Sequence, residues 1–161
     1  MKRWLFGALA VCLLLSGCRL DSAYDTASFY YLDAGYADRM SDPIRKEQKE
    51  ITGHAGDLSY LMHLYLMGPS GEGLKSPLPG SCTLISIENR EGVIQVKLSD
   101  TRSSLTESEF SLACACLTLT ILDFTQAQAV TITSGTRKVS MNTQTLTLYD
   151  SGTPAATEET Q

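Results

Sequence analysis

Between residues 28 and 149, apolar and polar positions alternate or recur at helical spacing in a series of short segments. Leu58, Leu61, Met62 and Tyr65 recur at i, i+3, i+4 and i+7, one face of an amphipathic helix. Asp57 is expected in its first turn, where a carboxylate suits the positive end of the helix dipole. Gly68 suits the left-handed position that ends a helix, and Pro69 has no N–H with which to continue one. A second helix is predicted from Glu107 to about Leu122. Thr106 and Glu109 have the spacing of a capping box, and Phe110, Ala113, Cys114, Leu117 and Ile121 make a core stripe. Leu112, Cys116 and Leu119 widen the apolar surface, so this helix should be the more buried one.

The remaining segments read as strands. Ser28–Asp33 (SFYYLD) is aromatic-rich and starts the domain. Ile44–Ile51 (IRKEQKEI) alternates weakly and is highly charged, an edge strand in preference to a short helical turn. Cys82–Glu88 and Val93–Leu98 pair as a hairpin around Asn89-Arg90-Glu91-Gly92, with Ile94, Val96 and Leu98 on the buried side. Gln128–Thr133 and Thr143–Tyr149 complete the set, the last with Leu146 and Leu148 facing together. The order ββαββαβ predicts an α+β sandwich of two layers, two helices on one face of a mixed sheet.

Outside this core the sequence changes character. Residues 1–17 have the form of a lipoprotein signal peptide: Lys2 and Arg3, then an apolar run from Trp4 to Leu15 that is short for a membrane span. Leu15-Ser16-Gly17-Cys18 resembles a bacterial lipobox, which makes Cys18 the expected lipidation site, carrying a diacylglyceryl thioether and palmitate-type chains. Residues 18–27 are then a lipidated N-terminus with a short tether, residues 28–150 one domain, and residues 151–161 a polar tail expected to be disordered. The expected location is the extracytoplasmic face of the cell membrane, lipid-anchored.

Charge narrows the partners. Loss of Lys2 and Arg3 with the signal takes the 13 basic residues to 11 against 18 acidic, a formal −7 in place of −5. That balance speaks against nucleic acid and against a polybasic membrane-binding surface, so the lipid must do the anchoring.

Candidate chemistry is thin. Ser70-Gly71-Glu72-Gly73 follows a helix instead of opening one and lacks a lysine-serine pair, so it is no P-loop. His54 and His63 lack zinc-hydrolase spacing, and no serine lies in a nucleophile elbow. Glu88 and Glu91 are accounted for by the hairpin turn and Glu109 by the cap, and paired carboxylates for glycan hydrolysis, among which Glu107 could be counted, are not called for. Cys114 and Cys116 point about 200° apart on a helix and cannot share a disulfide or a metal there. They read as buried apolar thiols. Cys82 paired with either is the alternative, and the odd number leaves at least one thiol free. No catalytic, cofactor-binding or metal site is expected, and no enzyme.

The order of several short features resembles one known family. These are the Tyr/Phe-rich first strand, the helix ending Leu66-Met67-Gly68-Pro69, and Pro79-Gly80 ahead of a strand with Leu84. A hairpin ending Val96-Lys97-Leu98-Ser99 and a helix with Leu117-Thr118-Leu119-Thr120 complete them. Together they resemble the GerMN domain of sporulation and spore germination proteins over roughly residues 28–135. Gly68, Pro69, Pro79 and Gly80 are its most specific positions and would be structural. The resemblance implies a fold similar to the ring-building motif and a non-enzymatic, membrane-associated module that binds envelope proteins or associates with itself. This chain has room for one such domain, which leaves ring formation unsupported. Peptidoglycan or a small ligand is the alternative partner, with Tyr30, Tyr31 and Tyr36 as candidates for stacking on sugars, although Tyr30 or Tyr31 should be core if its segment is a strand.

Overall fold

The aromatic segment folds as β1 (Thr26–Asp33), whose odd-numbered side chains Ala27, Phe29, Tyr31 and Asp33 are buried. β2 (Ile44–Glu50) pairs with it antiparallel from Thr26↔Glu50 to Leu32↔Ile44 and lies at the sheet edge, as its charges require. The computed structural model describes residues 25–36 and 42–146. The expected signal peptide, the lipidation site expected at Cys18, most of the expected tether and residues 151–161 lie outside them.

α1 (Leu58–Leu66) buries Leu61, Met62 and Tyr65, the stripe its periodicity predicts. Asp57 is its N-cap and not a residue of its first turn; the carboxylate accepts from Tyr60 N at 3.0 Å. Gly68, at φ +87°, turns the chain out of the helix, and its N–H donates to Tyr65 O at 3.0 Å. Gly68→Ala forces a Cβ into that conformation, and about 1 kcal/mol of stability is expected to be lost in urea titration.

A two-residue strand, β3 (Leu74–Lys75), pairs with Leu32 and Asp33 and completes the first sheet, β2-β1-β3. β4 (Leu84–Arg90) and β5 (Val93–Leu98) form the hairpin. Its turn is shorter than the four residues expected: the strands run on to Arg90 and Val93, and Glu91 (φ +54°) with Gly92 (φ +82°) closes a type I′ turn. α2 (Glu107–Phe124) then crosses to β6 (Ala129–Ser134), which pairs parallel with β5, a βαβ unit. β7 (Arg137–Asn142) returns antiparallel, giving a second sheet β4-β5-β6-β7.

The α+β class, the two helices and the ββαββαβ order hold, the structure adding only β3, too short to show any alternation, and β7 after β6. Two corrections follow. The strands form two sheets and not one, because β1 is paired by β2 and β3 and never reaches β4. The final described strand is residues 137–142, not Thr143–Tyr149. Gly135 at φ +60° makes a two-residue hairpin with Thr136, and Asn142 to Thr145 form a turn. Residues 147–149 lie outside the described part.

α2 has the full capping box, Thr106 Oγ1 accepting from Glu109 N and Glu109 Oε2 from Thr106 N. One flank packs on β1 and another on β6 and β7, so Cys114 and Cys116 are both buried although they diverge. A helix covered on two flanks needs apolar residues around most of its circumference.

All three described cysteines are free and buried, which sets aside the Cys82 pairing. Burial pushes the Cys114 and Cys116 thiols up to about 12, whereas in an unfolded chain they ionise near about 8.5. The native state keeps protons that the unfolded chain releases, so stability is intact below about pH 8.5 and declines as pH rises toward 12. Tyr31 and Tyr65, also raised by burial, steepen the decline above about pH 10. The urea midpoint in reducing buffer is therefore expected to fall between about pH 8 and about pH 10.5, with a shallower fall in Cys116→Ala. An unchanged midpoint across that range contradicts the thiol burial.

Candidate interaction surface

The helix stop is fastened to β2 by two side chains. Lys49 Nζ donates to Gly68 O at 2.5 Å and to Tyr31 Oη at 3.0 Å, and lies 5.0 Å from the Tyr31 ring centroid and 5.3 Å from that of Phe29. Burial lowers its pKa, with Glu47, 3.6 Å away, pulling the other way. The Glu47 carboxylate accepts from Ser70 N at 2.9 Å. The first amide of the glycine-rich loop is thus already held by a carboxylate, which speaks against an anion there. Pro79 O accepts from Cys82 N at 2.8 Å and turns the chain toward β4. Gly68 and Pro79 do structural work at separate turns, and Gly80 has open space where a Cβ would sit.

This framework leaves a cleft of about 500 Å³ between the C-terminal half of α1 and the start of β4. Its walls are His63, Leu66, Met67, Cys82, Thr83 and Leu84, with Ser59 at one end. No carboxylate, lysine or arginine lines it. Met67 beside it is 70% exposed, and Ile85, at the β-bulge of β4, is 57% exposed. Among the described residues β4 has a partner strand on one side only, so its other edge presents backbone groups next to these side chains that no described strand pairs. Exposed apolar side chains, an uncharged cleft and a free strand edge together are what an extended peptide needs.

A second cleft, about 510 Å³, lies at the other side of the Pro77–Gly80 segment, between β1, β3 and the start of α2. Tyr36 lines it at 38% exposure, with Lys75 and Glu109 nearby. Of the three tyrosines considered for sugar stacking, Tyr31 is wholly buried against Tyr65, and Tyr30 is half-buried with its pKa raised by burial. Tyr36 remains available. The histidines are not brought together for metal: His54 stacks on Tyr60 at 3.6 Å and His63 faces the first cleft. Among the described residues no group of three metal-ligating side chains occurs.

The first GerMN domain of the sporulation protein GerM from Bacillus subtilis superposes with a TM-score of 0.54, covering 71% of this chain and 86% of that one at 14% identity. The fold is that of a GerMN domain. A Clostridium perfringens crystal structure described as a lipoprotein gives 0.45 over 74% of this chain and 88% of that one, at 15% identity. No family model and no curated protein matches the sequence. At such identity the GerMN likeness concerns the backbone path and not the residues of either cleft. No described helix is long and apolar enough to cross a membrane.

Sequence reasoning missed the surface at Met67 and Ile85 and the tie at Lys49. Each Lys or Glu of β2 reads as solvated, and nothing local marks Glu47 and Lys49 as the ones folded inward. Ile85 reads as one more apolar residue of a strand, because a bulge leaves no mark in the alternation over so few positions.

Proposed function

We propose that this chain is a lipid-anchored, non-catalytic module of the cell envelope that binds a partner protein, in a setting related to sporulation or spore germination. The observation that carries the binding is the uncharged cleft of His63, Leu66, Met67, Cys82 and Leu84 beside the free edge of β4. Its occupant is an extended, uncharged segment of the partner, its backbone pairing with β4 and an apolar side chain entering the cleft. Anchoring rests on the Leu15-Ser16-Gly17-Cys18 lipobox, and the setting on the GerMN fold.

Two experiments test this. Cys18→Ala is expected to abolish incorporation of a fatty-acid analogue and release the chain from membranes; persistent labelling removes the anchor. A photo-crosslinking residue at Met67 or Ile85, sampled through growth and sporulation, is expected to capture one envelope protein repeatedly. The same probe at Lys46, on the charged strand β2, should not. Equal capture at all three sites rules out the cleft.

Tyr36 at the second cleft favours a different reading, a peptidoglycan or small-ligand binder. It requires retention on purified peptidoglycan that Tyr36→Ala lowers severalfold and Met67→Glu leaves unchanged.

A further inference from the structure

The two walls of the cleft beside Met67 answer to different sheets. Cys82 and Thr83 are held to the end of β5 in the second sheet, Thr83 N donating to Ser99 Oγ at 3.0 Å and Ser99 N to Thr83 O at 2.9 Å. The facing wall, Leu66 and Met67, is the end of α1. Packing stops short of it: Tyr65 is wholly buried, whereas Met67 stands out in solvent. Its own backbone bonds run back into the helix, Met67 N to His63 O and Gly68 N to Tyr65 O, and Pro69 brings no N–H with which to go further. The wall is fixed from β2, in the first sheet. Lys49 Nζ has three hydrogens and three partners, Gly68 O at 2.5 Å, Tyr31 Oη at 3.0 Å and the Glu47 carboxylate at 3.6 Å. Tyr31 Oη in turn donates to Tyr65 O at 3.4 Å, and Glu47 accepts from Ser70 N. Residues 65, 68 and 70 are thus all tied to one ion pair, whose side chains are only 13% and 12% exposed.

We propose that Lys49 is a positioning residue for this cleft: through Gly68 O it sets how far the Met67 wall stands from β4, and so which partner side chain fits. The inference rests on the reading of the cleft as the binding site. No residue of β2 lines the cleft, so the influence of Lys49 passes through the helix stop. Lysine suits the task because its compact ammonium reaches acceptors in different directions, where the planar guanidinium of arginine has a fixed fork. The Phe29 and Tyr31 rings, 5.3 and 5.0 Å from Nζ at their centroids, hold the ammonium over the sheet. Without it the Gly68 carbonyl loses its donor, and the last turn of α1 is free to move against a β4 wall that stays with its own sheet.

The test first reads the wall without needing a partner. Cys82 is 7% exposed in the facing wall, and burial pushes its thiol up, so in the closed cleft it alkylates slowly. Cys114 and Cys116, buried on α2, report on the rest of the core. Lys49→Met alone would leave the Glu47 carboxylate buried without its cation, so Glu47→Gln accompanies it. Membranes carrying the full chain are treated with N-ethylmaleimide, and mass spectrometry follows each cysteine. In the double variant Cys82 is expected to react at least about tenfold faster with Cys114 and Cys116 unchanged, the pattern of a local opening and not of global unfolding. Val130→Ala, which weakens the core two strands from β4, controls for lost stability and should not favour Cys82. An unchanged Cys82, or equal acceleration at all three thiols, overturns the proposal. Photo-crosslinking from Ile85 then reads binding. Capture is expected to fall severalfold in the double variant, and undiminished capture beside a faster Cys82 also overturns the proposal. No capture at Ile85 in the unaltered chain would instead sink the binding reading, and the thiol rates would still decide what Lys49 does to the wall.

Discussion

Tyr65→Ala is expected to destabilise the domain by about 3–5 kcal/mol, the range for removing a fully buried aromatic side chain. Tyr65 is fully buried on α1, its ring stacked on Tyr31 with centroids 5.2 Å apart. It also stands in for a missing strand. β3 reaches only Leu32 and Asp33, so among the described residues no strand pairs with Tyr30 on that side of β1. Instead Tyr65 Oη donates to Tyr30 O at 3.3 Å, and Thr120 Oγ1 of α2 accepts from Tyr30 N at 3.0 Å. An unpaired backbone group buried at that edge carries its own cost. Tyr65→Phe separates the two contributions: it keeps the ring and loses the bond to Tyr30 O, about 1 kcal/mol. Urea unfolding of both variants checks the division. A Tyr65→Phe loss as large as that of Tyr65→Ala would place the stabilisation in the hydroxyl and refute the packing account. A domain of this size has a total stability of only about 5–15 kcal/mol, so Tyr65→Ala should leave a measurable unfolded population near physiological temperature.

Arg137→Met is the second large effect, about 3 kcal/mol, since hydrogen bonds to a charged group are each worth about 1.5–3 kcal/mol. The guanidinium is buried at the start of β7, its carbon 4.1 Å from the Phe110 ring centroid. Nη1 donates to Leu105 O at 3.1 Å and Nη2 to Thr101 Oγ1 at 2.7 Å. The direction of every proton in the chain beyond it follows from chemistry. Arginine cannot accept, so Thr101 Oγ1 receives its proton. Ser134 Oγ donates its one hydrogen to Ser99 O at 2.8 Å, so the 2.9 Å contact between the hydroxyls must run from Thr101 to Ser134. Arg137, Thr101 and Ser134 thus tie the end of β5, the loop before α2 and the β6–β7 turn into one unit. Arg137→Lys should recover little, because an ammonium cannot bond two diverging acceptors from one planar group. A double-mutant cycle with Thr101→Ala measures the link directly. Additive losses would show that the two side chains act independently.

Most of the helical content could be read without a structure, for a physical reason. A helix writes its buried face into spacing that spans only a few turns, and its ends into single residues such as Gly68, Thr106 and Glu109. The β5 alternation of Ile94, Val96 and Leu98 is local in the same sense, since one strand records which of its faces is wet. The expectation of lipidation at Cys18 is local too, since it rests on side chains in one short run, Leu15-Ser16-Gly17-Cys18, outside the described residues.

What the tertiary structure decided is how distant segments meet. Thr143–Tyr149 alternates as well as any strand, yet β6 is met by Arg137–Asn142, because Gly135 places the turn and the turn sets which residues pair. Arg137 and Lys49 carry charge and read as surface. Each is drawn inward by partners in other segments, Thr101 and Leu105 for the first, Gly68 and Tyr31 for the second. The division of strands into two sheets and the unpaired edge of β4 among the described strands likewise arise only when the chain has folded back on itself. Local pattern fixes which face of an element is apolar, and only packing fixes what that face, or that edge, is left to bind.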